Sequence, residues 1–456
     1  MRGKKILNFS IIAISFTVLT LALFTFVIPV SAQSTLIVDD DGVECPSPDH
    51  STIQAAVNAA SGVDTIIVCD GTYGKVNIPS GKDGLTLKSA SKPVIDCGAS
   101  TGGASVGNGI TIGSNGVTVQ GFEIRFCDNG IQGTSISNTL IKKNDIHDNK
   151  NPSGGFQGVG IAFNGDSDGN TVNKNKIFDN DRQGIFLGGS CTGLATNSEN
   201  NVISDNKISD NGQDLLAGPA PGSGRGPDPS QYGIQLCEAD NNVIIDNKVT
   251  GHNEWSFGIG IYLFDSNNNL VAQNDLKDNR QGVVLFGAST NNDIIKNKIK
   301  NGVAPTCAIG TGCNPVTTNK PATGIRIFDS ASSGNTIANN DIKDNAGWGV
   351  DVIGGNTVED NKAKGNGLGG YVIKGSANTI SENEAKDNLV VGFKATSTSS
   401  GNNFVDNSAK ANTGFGYDDD STGSGTLGTD NTYNNNECKD NTSGGSSPTG
   451  LCSPQP

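Results

Sequence analysis

In the stretch Asn378-Thr-Ile380-Ser-Glu-Asn383-Glu-Ala385-Lys-Asp-Asn388, Asn recurs every five residues, with a small or aliphatic residue two places after each of the first two. Setting the middle Asn of each copy in register gives Asn144, Asn175, Asn206, Asn247, Asn274, Asn297, Asn340, Asn361, Asn383, Asn407 and Asn436. The separations run from 21 to 43 residues, so the minimum unit is just over twenty residues and longer copies carry insertions. A short period with variable insertions specifies a solenoid, because one unit of this size cannot bury its apolar face without a stacked neighbour.

After the Asn pair each unit has a third short apolar piece: Gly184-Ile-Phe-Leu187, Gly233-Ile-Gln-Leu236, Gly282-Val-Val-Leu285, Gly324-Ile-Arg-Ile327 and Gly349-Val-Asp-Val352. These alternate as a strand with one buried face must, and nothing in the unit has a helical period of useful length. Each unit therefore offers three short strands. Stacked coils lie about 4.8 Å apart, close enough for Asn at matching corners to form hydrogen-bonded ladders. Asn also tolerates the left-handed backbone that tight corners need. Disorder would not keep the apolar positions in phase.

These repeats resemble the right-handed parallel β-helix units of the pectate-lyase-like superfamily, including its NosD-type branch, over roughly Thr35 to Cys438. The run Thr52-Ile-Gln-Ala-Ala-Val57, Asp64-Thr-Ile-Ile-Val68 and Gly71-Thr-Tyr73 resembles the opening of many extracytoplasmic β-helix proteins. The resemblance implies an all-β, single-stranded solenoid of roughly 13 coils. A short amphipathic helix capped by Ser51, with Ile53, Ala56, Val57 and Ala60 on one face, would close its N-terminal end. A composition 34% hydrophobic and 5% aromatic, with 62 Gly, suits a narrow column of Ile, Val, Leu and Ala better than a globular core.

Residues 1–32 read as a signal peptide: Arg2, Lys4 and Lys5, an apolar run from about Ile11 to Ile28, then Val30-Ser-Ala32 before Gln33. The run is also long enough to stay as an uncleaved membrane anchor. Either way a secreted or cell-surface location is expected, with the β-helix over 33–437 and a disulfide-stapled cap over 438–456. The grouping of ten Cys suggests the pairs Cys45–Cys69, Cys97–Cys127, Cys191–Cys237, Cys307–Cys313 and Cys438–Cys452, a connectivity that sequence leaves open. A net charge of −14 argues against nucleic acid as a partner and is compatible with bound cations.

Insertions at Lys150–Gln157, Gly212–Gln231, Gly251–Phe257 and Gly302–Thr323 fall at one corner, before the third strand, and mark the expected binding face. Beneath them, outward positions of the third strand form a column: Phe186, Gln235, Tyr262, Val284, Arg326, Asp351, Val372 and Lys394. The loops add Arg225, Asp228, His252, Glu254 and Trp255, with Tyr232 at the edge. Aromatic faces beside amides and carboxylates suit sugars, so Trp255, Tyr232, Tyr262, Gln235 and Arg225 are the expected ligand contacts, a polysaccharide or envelope glycan the expected partner, and polysaccharide binding or an envelope scaffold the expected role. The alternative is a polysaccharide lyase, epimerase or glycoside hydrolase, with Arg326, Asp351, His252 and Glu254 as catalytic candidates. Gly251-His252-Asn253 departs from the Gly-His-Gly of polygalacturonase-type hydrolases, which puts catalysis in doubt.

Asp166-Ser-Asp168-Gly-Asn170 has the alternating oxygens of a calcium loop without a distal bidentate Glu, so Ca²⁺ is the cation it would take. The acid runs Asp39–Asp41 and Asp418–Asp420 read as solvated turns. A copper role, which the NosD name implies, finds no support: Met1 is the single Met, and His50, His147 and His252 are scattered.

Overall fold

The computed structural model describes residues 33–98, 104–150, 157–189, 191, 197–212, 231–253, 258–303 and 322–454. Ser34–Pro456 forms one compact unit. It is a right-handed parallel β-helix: one sheet of 15 strands and two of 14, each strand pairing in parallel with its equivalents one coil before and after. In a representative coil the first sheet takes Thr171–Asn173, the second Lys176–Phe178 and the third Ile185–Gly188. Strands of the first two sheets are mostly three residues long, with only the middle side chain buried, as at Val172 and Ile177. Those middle residues and the inward pair of the third strand fill one continuous core. Toward the C-terminal end the core becomes aromatic, Tyr371, Phe393 and Tyr417 stacking at centroid separations of 4.7 and 4.9 Å.

The Asn repeat produces three buried ladders, one at each five-residue step. Asn175 shows the unit: its Oδ1 accepts from the backbone N–H of Asn144 (3.0 Å) and from Asn144 Nδ2 (3.1 Å), while its own Nδ2 donates to Asn206 Oδ1 and to the Ile141 carbonyl, both at 3.0 Å. Every polar atom of the amide is thus used inside the coil, as burial requires. The sequence expectation needs one correction. The ladder Asn is not itself left-handed; the residue before it is, at Lys143, Lys174, Asp205, Asp246 and Gln273, with φ near 57°. That residue turns the chain so that the Asn side chain points inward, which is why Asp, Asn and Gly are frequent there.

A glycine column has a separate cause. A Cβ on Gly260 would stand 2.6 Å from Leu276 Cδ2 and 2.8 Å from the Gly282 carbonyl oxygen, so this inner corner admits no side chain. The N-terminal helix spans Ile53–Ala59, and its cap is Thr52, whose hydroxyl accepts from Ala55 N, rather than Ser51. Ile53, Ala56, Val57 and Ala60 are buried over the first coil's core. At the other end Glu437–Lys439 and Gly444–Ser447 still pair with the second and third sheets, so a boundary at 437/438 falls within a strand. Cys438 occupies a core position there and is joined to Cys452. The pairs Cys45–Cys69, Cys97–Cys127 and Cys191–Cys237 are also formed; Cys307 and Cys313 lie outside the described residues.

Candidate functional site

The outer face of the third sheet carries the column read from the sequence. Register pairs run Phe186 to Gln235, Tyr262, Val284, Arg326, Asp351, Val372 and Lys394, one residue per coil. Two residues further along each strand the chain faces outward again and presents Phe264, Phe286 and Phe328. Together these form an aromatic row along the rod: centroids are 4.9 Å apart for Tyr232–Tyr262, 6.4 Å for Tyr262–Phe264, 5.7 Å for Phe264–Phe286 and 5.1 Å for Phe286–Phe328. Tyr232 is buried, Tyr262, Phe264 and Phe286 are partly exposed, and Phe328 is 38% exposed. Trp348, also partly exposed, lies against Gly369 of the next coil, where the missing side chain leaves room for its ring.

The row ends in charge. The Arg326 guanidinium lies 4.4 Å from the Phe328 centroid, a cation–π distance. Its Nε is 3.4 Å from Asp351 Oδ2 without the alignment of a hydrogen bond, and Lys374 Nζ reaches the same oxygen at 2.7 Å. Asp351, 3% exposed, therefore sits between two cations. Beyond it Lys394 pairs with Asp418 and Asp420. Amides complete the face: Gln183 Nε2 donates to Gln235 Oε1 at 2.7 Å, while Gln183 Oε1 and Gln281 Oε1 are buried acceptors with no donor among the described residues. Arg280 is wholly buried; its pKa is lowered first by desolvation and then by the charge of Arg326.

The remaining sequence candidates do not join this face. His252 is fully buried in the third ladder, where every equivalent in neighbouring coils is Asn: its Nδ1 lies 3.0 Å from Asn279 Oδ1 and its Nε2 3.4 Å from Asn211 Nδ2. Burial drives its pKa down to about 4, against the bond to Asn279. It is a rung and cannot reach a ligand. Arg225, Asp228, Glu254 and Trp255 lie outside the described residues. Asp166, Asp168 and Asn170 do not converge: Asn170 is a buried ladder rung, and the two carboxylates accept from the backbone N–H groups of Asn197 and Glu199 on the next coil. Nor are the acid runs simply solvated. Asp39 is buried and holds the N–H of Cys45, and Asp419 is buried among Ser421, Asn431 and Tyr433.

Sequence reasoning passed over a second regularity. On the outer face of the second sheet, Lys277, Lys300, Lys343, Lys364, Lys386, Lys410 and Lys439 occupy one register position on consecutive coils. The signal was present, since each stands two residues before a rung of the third ladder or its equivalent, as in Lys343-Asp-Asn345 and Lys386-Asp-Asn388.

The family described as periplasmic copper-binding protein (NosD) matches residues 77–307, half of the chain, and that described as right handed beta helix region matches 314–451. The chain belongs to the NosD family. Among solved structures, a double mutant of the periplasmic alginate epimerase AlgG is 15% identical, with 81% of this chain and 78% of that chain covered and a TM-score of 0.49. A lacto-N-biosidase from Eubacterium ramulus is 12% identical, with 75% and 64% covered and a TM-score of 0.51. At these identities the likeness is one of fold. No curated protein matches the chain.

The NosD description implies copper, and the described residues do not fit it. His252 is a ladder rung, and His147 stacks on Phe178 with Nδ1 2.8 Å from Asp148. Among the described residues the groups of potential ligands that come together are Asp39, Asp41 and Glu44, and Asp39 with Cys45 and Cys69, the two cysteines being joined in a disulfide. Carboxylate oxygens suit hard cations, whereas copper selects imidazole, thiolate and thioether donors.

Proposed function

We propose that this NosD-family chain is an extracytoplasmic polysaccharide-binding protein whose contact surface is the outer face of the third sheet between Tyr232 and Lys374. The observation that carries the reading is the partly exposed ring row Tyr262, Phe264, Phe286 and Phe328, flanked by Trp348 and ending on Arg326, Asp351 and Lys374. Rings at coil spacing offer apolar faces to successive sugar rings, and fixed amides and charges orient hydroxyls or acidic groups. Four disulfides favour an oxidising compartment. The lacto-N-biosidase shares this fold, and glycans are the first ligand class to test.

Among the described residues, the outward column does not bring two carboxylates together as a glycosidase needs. In the outward column the next carboxylate after Asp351 is Asp418, three coils on. At about 4.8 Å per coil that is roughly 14 Å, beyond the ~5–9.5 Å between the two carboxyl groups of a glycosidase. A glycan array on the purified chain, followed by reducing-end and unsaturated-uronate assays on each hit, tests the reading. Binding without product formation is expected. Product formation would establish the enzyme alternative, and silence on the array would remove the glycan.

A further inference from the structure

We propose a second binding surface, on a different side of the coil: the lysine row of the second sheet takes a linear acidic polysaccharide with one carboxylate per sugar, laid along the rod axis.

The row runs unbroken from Lys277 to Lys439, one ammonium per coil over seven coils, on a chain whose net charge is −14. Like charges directly opposite one another on adjacent strands oppose pairing. Apolar packing does not require them either, because the alternating inward residues, such as Ile342 and Ala363, already fill the core. Five of the seven have a carboxylate within reach: Lys277, Lys300, Lys343, Lys364 and Lys410 lie 2.7–3.7 Å from Asp278, Asp275, Asp341, Asp387 and Glu437. Those carboxylates stand beside the row or come from a neighbouring coil, so the ammonium file itself stays continuous. Among the described residues Lys386 and Lys439 have no carboxylate at ion-pair distance. The row also borders a shallow groove lined by Lys343, Lys362, Lys364 and Lys386 together with Asp341, Asp360 and Glu384.

The spacing selects the partner. Cations repeat about every 4.8 Å, close to the length of one sugar in an extended chain, so a polymer with one carboxylate per residue keeps register with the row. Duplex nucleic acid carries a charge about every 1.7 Å of axis and would press its excess phosphates against the flanking carboxylates. The arrangement favours the sparser polyanion.

Calorimetric titration of the full chain with oligouronates of graded length, a neutral glycan of the same linkage and duplex DNA tests this, at low and at physiological salt. Two triple variants of equal charge change are compared: Lys343→Gln/Lys364→Gln/Lys386→Gln in the row, and Lys176→Gln/Lys207→Gln/Lys248→Gln, which removes a shorter file at the other outward position of the same sheet. Oligouronate affinity is expected to rise with length to about seven sugars and to weaken with salt. It should fall roughly tenfold in the row variant and less than about twofold in the control. A Lys→Arg version of the row variant, which keeps the charge, must retain binding. No oligouronate binding, equal loss in both triple variants, failure of the Arg version, or DNA binding as tight as uronate binding would each overturn the proposal. Removing rings of the third sheet leaves this binding intact, so its failure is distinguishable from failure of the glycan reading above.

Discussion

A single position shows how strictly the interior is specified. The third ladder runs Asn149, Asn180, Asn211, His252, Asn279, and the imidazole fills a place built for an amide. The folded state holds His252 neutral with a pKa of about 4, while the unfolded chain titrates near 6.5. Between those values the unfolded state binds more protons, so stability is intact above about pH 6.5 and is lost as pH falls toward 4. The shift corresponds to roughly 3 kcal/mol when complete, at about 1.4 kcal/mol per unit. His252→Asn restores the ladder and removes the titration. Denaturant unfolding at pH 7 and pH 4.5 should show the wild type losing about 2 kcal/mol more than the variant on acidification. Equal losses would mean that the imidazole is not buried in the ladder. This place was legible: His252 stands five residues after Asn247, where every other copy but one keeps Asn. Reading Gly251-His252-Asn253 as loop chemistry gave local composition precedence over register.

At the scale of the strand, the repeat Gly-Ile-x-Leu divides labour among its positions. The aliphatic residues enter the core, the variable residue faces out, and the Gly clears the corner. Gly260→Ala sets a methyl against the Gly282 carbonyl, backbone that cannot rotate away, and against Leu276. The expected cost is about 1–3 kcal/mol, read from the urea midpoint, whereas Gly42→Ala at an open turn, with nothing within 4 Å, should be limited to its backbone strain at φ 77°. A neutral Gly260→Ala would show that the coils separate more easily than their hydrogen bonds imply. The alternation that placed Phe186, Gln235, Tyr262, Arg326 and Asp351 in one column also fixed Phe264, Phe286 and Phe328 two residues on. Those rings went unread because each ends an apolar run and looks like core. The αL residues before each Asn were not legible as such, because Lys, Gln and Ala occupy some of them; the corner geometry dictates φ there more than residue type does.

For the whole molecule, stacking coils turns sequence period into surface pattern: each outward position becomes a file along the rod. One side carries aromatic rings and amides closing on Arg326, Asp351 and Lys374; another carries a file of ammonium groups; the ends are closed by the helix Ile53–Ala59 and the Cys438–Cys452 staple. The fold was legible because its periodicity is repeated many times. Function was less so, because a repeat records what all coils share, whereas a ligand is recognised by what differs among them. The most direct test is calorimetric binding of a neutral array-derived glycan to the wild type, to Tyr262→Ala/Phe286→Ala, and to the lysine-row variant as a control for fold and charge. The ring variant should lose at least about tenfold in affinity, in line with a loss of more than about 1 kcal/mol when an aromatic anchor of a binding surface is truncated, with the lysine-row variant unchanged. Undiminished binding by the ring variant would contradict the assignment of the third sheet's outer face as the glycan surface.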